Sequence, residues 1–124
     1  AEHDPNDMSY RPYMNGKFVF KNAIRRFSEV IIQGLEANNL QVSDIDMLVP
    51  HQANLRISQY IQKKFKLSDN QVFNNIQNYG NTTAASIPIA LSEACDQGKI
   101  KHGHTVVLAA FGSGFTWGSV IIKW

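Results

Sequence analysis

From Lys17 onward the chain carries an apolar stripe, Phe20, Ala23, Ile24, Phe27, Val30, Ile31 and Leu35, at the three- and four-residue spacings that a helix gathers on one side. Asn38-Asn39 ends it, Ser43-Asp44-Ile45-Asp46 turns the chain, and Met47-Leu48-Val49 reads as a short buried strand closed by Pro50. Asn54 through Phe65 predicts a second amphipathic helix, with Ile57, Ile61 and Phe65 on one face and Arg56 and Lys63 on another. Beyond Leu67-Ser68-Asp69-Asn70 the asparagine-rich segment Val72 to Tyr79 is ambiguous and is taken as a short strand with a loop. Gly80 ends it. Thr82 to Ala94 predicts a third helix, with Pro88 marking its first turn or a kink and Gly98 beyond it as a terminator. Thr105 to Phe111 and Phe115 to Trp124 are β-rich runs bracketing Gly112-Ser113-Gly114, a tight hairpin on composition. The order helix, strand, helix, short strand, helix, strand, strand makes a layered α/β domain without repeats.

With 124 residues the chain is expected to form one domain with a real core. Hydrophobic residues make up 44% and charged residues 18%, the latter below the usual ~25%, which hints at buried partner surface. A formal charge of +2 is too mild to point to nucleic acid, for which a concentrated basic stripe is expected. Cys95 is the only cysteine, so no internal disulfide can form, and a reducing, cytoplasmic location is the expectation. The longest apolar runs, such as Val106 to Phe111, fall far short of the ~20 residues of a membrane span. The polar stretch 1–13, with Pro5 and Pro12, reads as an irregular lead-in, and its start at Ala1 looks like a cut or a removed tag.

Two motifs dominate the chemistry, His51-Gln52-Ala53-Asn54 and Gly80-Asn81-Thr82-Thr83-Ala84-Ala85-Ser86. Each is expected to place a neutral donor, an imidazole or a carboxamide, where a strand gives way to a helix, the edge at which open α/β sheets bind ligands. Gln52 and Asn54 add polar groups there. One reading makes His51 and Asn81 structural, a satisfied histidine and a turn or cap residue. The other aims both at one oxygen, which suits enolate chemistry, because a neutral donor strengthens as charge develops on the oxygen. The Gly112-Ser113-Gly114 bend is either only a hairpin or a source of backbone N–H groups for an oxyanion. Metal ligation is not expected, since no second His or Cys stands at ligand spacing from His51 and His3, His102 and His104 lie in polar loops. Cys95, late in a helix beside Asp96, reads as packing. The basic residues Arg56, Lys63 and Lys64, with Lys21, Arg25 and Arg26 on the first helix, form either a solvated face or a docking patch.

Together Pro50-His51-Gln52-Ala53-Asn54-Leu55-Arg56-Ile57, the Gly80–Ser86 motif, and Ala110-Phe111-Gly112-Ser113-Gly114-Phe115-Thr116-Trp117-Gly118 resemble the carboxy-terminal half of a β-ketoacyl-acyl-carrier-protein synthase III. The resemblance covers residues 14–124 and implies α/β architecture of the thiolase type, here its C-terminal half, a mixed β-sheet flanked by helices. It implies decarboxylative condensation of acyl-coenzyme A with malonyl-acyl-carrier-protein at the start of fatty acid synthesis, without a cofactor. It assigns His51 and Asn81 to the malonyl thioester oxygen and the backbone N–H of Ser113 to the acyl oxyanion. It places Phe111 by the active site, Asn54 in support of its polar pocket, Gly16 along the pantetheine arm, and Arg56, Lys63, Lys64 and Lys21 at the carrier-protein docking surface.

The nucleophilic cysteine of that family lies on its first half. This chain is therefore expected to be inert alone, to expose an apolar face toward an N-terminal half, and to act in a homodimer when complete. Two departures stand out. Lys17 occupies a place where relatives carry a shorter polar residue beside the pantetheine, and Ser113 replaces a third glycine where only the backbone is needed. The alternatives are a carrier-protein-binding or scaffold module without turnover, and a sister condensing enzyme with another acyl acceptor.

Overall fold

The computed structural model describes residues 14–124; the lead-in over 1–13 lies outside the described residues. Helix α1 spans Gly16–Ala37, and the Asn15 side chain caps it by accepting from the Phe18 N–H at 3.1 Å. It leads to strand β1, Met47–Pro50, buried at every position. Helix α2, Leu55–Phe65, follows at once; Asn54 Oδ1 accepts the Arg56 N–H at 2.9 Å, and Lys66 ends the helix in the left-handed conformation. Lys63 and Lys64 fall in its last turn, where cations meet the negative end of the helix dipole.

The sheet has the order β1-β2-β3, where β2 is Thr105–Gly112 and β3 is Thr116–Lys123. β1 runs parallel to β2, with Val49 beside Leu108, and β2 pairs antiparallel with β3, with Leu108 beside Val120. The mixed sheet flanked by helices is thus present, with β2 central among the described strands. Alternation along the strands divides the core in two. Leu48, Val107, Ala109 and Phe111 face α1 and α2, meeting Ala23, Phe27, Ile31, Leu35 and Ile61. Met47, Val49 and Val106 face helix α4, Ser86–Asp96, meeting Ala90 and Ala94. Cys95 packs at the rim of this second cluster, consistent with a packing residue.

Two expectations need correction. The short strand within 72–79 is reduced to a single parallel bridge between Val72 and Leu48, and Ile76–Tyr79 forms a one-turn helix, α3. The Asn75 and Ile76 N–H groups go to Gln52 Oε1 and the Asn75 side-chain amide goes to Glu93, which leaves these groups engaged outside any strand ladder. Asn81 therefore follows a helix, not a strand. The third predicted helix is also shorter than Thr82 to Ala94 suggests: Thr83–Ala85 is a 3-10 turn and α4 begins at Ser86. Pro88 lies in the first turn of α4, where a missing N–H leaves no bond unmade, so it does not kink the helix.

Candidate functional site

An open cleft of about 1170 Å³ lies at the carboxyl end of β1 and β2, walled by the loop after β1, the start of α4, the β2–β3 turn and the start of α1. Of the residues singled out in the sequence, His51, Asn81, Phe111 and Ser113 all line it. Each arrives from a different element. His51 follows the last residue of β1, and its N–H continues the ladder by donating to Ala109 O at 2.7 Å. Ser113 belongs to the turn joining β2 and β3. Phe111 is the penultimate residue of β2, and its ring meets Phe115 at 4.9 Å, with Phe18 of α1 beyond at 5.8 Å. These rings form an apolar wall, which suits an apolar ligand chain better than a charged group.

Asn81 is placed by two backbone devices. Gly80 has φ +69° and ψ −157°, a combination essentially reserved to glycine, and it swings the chain out of α3 toward the cleft. Asn81 Oδ1 then accepts the Thr83 N–H at 2.9 Å. With its oxygen held in that turn, the carboxamide offers its NH₂ side as the donor.

His51 Nδ1 lies 2.6 Å from Ser86 Oγ at the start of α4. Partial burial pushes the imidazole below its usual pKa, so it is neutral at physiological pH. A neutral imidazole and a carboxamide NH₂ thus both line the cleft wall, without a formal charge.

Gln52 departs from its sequence reading. It does not line the cleft; it is 3% exposed and turned inward. Its Nε2 donates to Pro50 O at 2.7 Å and Phe73 O at 3.4 Å, and its Oε1 accepts the N–H groups of Asn75 at 3.0 Å and Ile76 at 3.1 Å. It thereby ties the His51 loop to the first turn of α3. Asn75 Nδ2 reaches Glu93 of α4 at 2.8 Å, and the Tyr79 hydroxyl donates to the same carboxylate. That hydroxyl and the Asn75 amide hold Glu93 below the usual carboxylate range. α3, and Asn81 after it, are braced from both sides.

Asn54 also departs from the pocket role: its carboxamide caps α2 and does not line the cleft. Gly16 opens α1, and it is the preceding Met14 and Asn15 that line the cleft. Lys21 on α1 and Arg56, Lys63 and Lys64 on α2 are exposed, and none lines the cleft. Among the described residues no cluster of three or more potential metal ligands occurs, and no helix is long and apolar enough to cross a membrane. Ser86 also lines the cleft, and the sequence reading gave it no role of its own. Its only local signal is a hydroxyl at the end of a run of small residues.

Comparison with known proteins gives a consistent picture. Residues 35–124 match the family model described as 3-oxoacyl-[acyl-carrier-protein (ACP)] synthase III C terminal. A β-ketoacyl-[acyl-carrier-protein] synthase III of Clostridioides difficile is 52% identical over 111 residues, covering 90% of this chain and 34% of the relative. The Clostridium perfringens protein of the same name is 46% identical over 110 residues, covering 89% of this chain and 34% of the relative. Among solved structures, the 3-oxoacyl-[acyl-carrier-protein] synthase III of Aquifex aeolicus superposes with a TM-score of 0.89 at 42% identity, over 95% of this chain and 38% of its own. The Thermus thermophilus synthase III gives 0.88 at 44%, over 90% and 35%. The chain spans about a third of the length of the curated relatives it matches.

Proposed function

Since the chain belongs to the 3-oxoacyl-[acyl-carrier-protein] synthase III family, as its C-terminal part, we propose that it supplies the enolate-stabilising half of an active site that condenses an acyl-coenzyme A with a malonyl-carrier-protein. The observation that carries this reading is the convergence of His51 and Asn81, two neutral donors from separate loops, on one cleft. In the proposed step the bond between the malonyl carboxylate and its α-carbon breaks and carbon dioxide leaves. The electron pair passes into the thioester carbonyl, whose oxygen gains charge between the two donors. Each such donor contributes roughly 3 kcal/mol to the transition state. The enolate carbon then attacks an acyl thioester on a cysteine, forming the new carbon–carbon bond and expelling the thiolate.

That cysteine is not Cys95, which packs against the second core cluster and does not line the cleft. It belongs to the part of the synthase corresponding to the relatives' remaining two thirds, and the isolated chain is accordingly inactive. The Ser113 N–H would hold the acyl oxyanion, and the Phe111–Phe115–Phe18 wall would receive the apolar parts of the substrates. The exposed set Lys21, Arg56, Lys63 and Lys64 suits an acidic carrier protein. The complete enzyme is a cytoplasmic homodimer that needs no cofactor.

The test is to introduce His51→Ala and Asn81→Ala separately into the complete synthase. Each should lower malonyl-thioester decarboxylation by about 10²- to 10³-fold while acylation of the cysteine from acyl-coenzyme A survives. Undiminished decarboxylation in both variants overturns the reading. Carrier-protein binding without any condensation by the complete protein would leave a docking module in its place.

A further inference from the structure

The hydroxyl of Ser86 has a geometry that general packing does not require. Ser86 is 2% exposed, and its Oγ accepts the backbone N–H of Gln52 at 3.3 Å while lying 2.6 Å from His51 Nδ1. Among the described residues it has no other hydrogen-bond partner. A hydroxyl carries one proton, and a buried O–H without an acceptor is disfavoured. Nδ1 is the one acceptor within reach, so the serine proton belongs there. A neutral imidazole that accepts at Nδ1 carries its own proton on Nε2, on the far side of the ring from Ser86. In the opposite arrangement, Nδ1–H donating to Oγ, the serine proton would be orphaned and Nε2 would become an acceptor, unable to stabilise an oxyanion.

We propose that Ser86 is the positioning residue for His51: its hydroxyl, oriented by the Gln52 N–H, donates to Nδ1, selects the Nε2–H tautomer and so makes the imidazole a hydrogen-bond donor to the cleft. The choice of a hydroxyl has a physical reason. A carboxylate at the same place would draw the proton to Nδ1 and favour the imidazolium, whereas a hydroxyl orients the ring and leaves it neutral. The brace formed by Gln52 thus acts twice, with its side chain on α3 and its N–H on Ser86. The inference rests on the reading of His51 as a donor to a thioester oxygen, yet its first readout is independent of turnover.

That readout is a long-range proton–nitrogen correlation spectrum of the full chain labelled with 15N-histidine, with the His51 signals identified by their loss in His51→Gln. Wild type should show one neutral tautomer, with Nδ1 unprotonated and Nε2 protonated. Ser86→Ala should show both tautomers, and Ser86→Cys, which keeps a weaker donor of similar size, should fall between. A wild-type spectrum with the proton on Nδ1 overturns the proposal even if no variant folds, and so does an unchanged single tautomer in Ser86→Ala. In the complete synthase, Ser86→Ala should lower kcat for decarboxylation about tenfold with KM little changed. If the tautomer behaves as stated but His51→Ala still decarboxylates, it is the enzymatic reading that falls.

Discussion

Gln52→Ala removes the brace between the two loops of the cleft, and its consequence can be worked out bond by bond. Three of the four hydrogen bonds of the Gln52 side chain are 3.1 Å or shorter, to Pro50 O and from the Asn75 and Ile76 N–H groups, and the fourth, at 3.4 Å, adds little. At about 1 kcal/mol each the three amount to about 3 kcal/mol, a large share of the 5–15 kcal/mol that holds a typical domain together. An unfolding entropy of about 2.1 cal/mol/K per residue over 124 residues converts this to a fall in Tm of about 12 °C. Thermal melting followed by far-UV circular dichroism reads the total. Gln52→Met, which fills the space without the bonds, separates hydrogen bonding from cavity formation and should lose most of the same amount. Hydrogen exchange locates the effect: the Asn75 and Ile76 amides should lose protection while those of β2 keep theirs. A fall of less than about 4 °C, with both amides still protected, would refute the argument that Gln52 holds α3 in place.

Two further outcomes follow from individual side chains. Because burial lowers the pKa of His51 from 6.5, the unfolded chain takes up the extra proton first as the medium is acidified. This contribution to stability is complete above pH 6.5 and is lost as the pH falls through the folded value; urea melts on either side of that pH should show it, and His51→Gln should abolish it. Gly34→Ala would place a Cβ 2.6 Å from Ser119 Oγ and 3.3 Å from Ile121 Cδ1, displacing a hydroxyl that donates to Val30 O at 2.8 Å. It should therefore destabilise by about 1–3 kcal/mol, although glycine to alanine inside a helix ordinarily stabilises. A raised Tm would show that α1 does not approach β3 as closely as this.

What could be read along the chain was what local chemistry and periodicity impose. The stripe from Phe20 to Leu35 became α1, the apolar run before Pro50 became β1, and Gly112-Ser113-Gly114 became the turn between β2 and β3. The motif residues His51, Asn81 and Ser113 were legible because each belongs to a short, ordered signature, and the tertiary fold brings all three to one cleft. The segment 72–79 was not legible, since its asparagines serve a ladder, a turn or a cap equally well and only contacts with Gln52 and Glu93 select the helix turn.

The orientation of Gln52 and the partner of His51 lay beyond local reading for the same reason. Gln52 could face ligand or interior until the backbone of 73–76 came within reach. His51 and Ser86 are 35 positions apart along the chain, yet their polar atoms meet at 2.6 Å. Spacing and residue type determined which groups could do chemistry here. Which of them face the cleft, and which nitrogen of the imidazole bears the proton, was decided only when packing in three dimensions set the partners of each buried polar group.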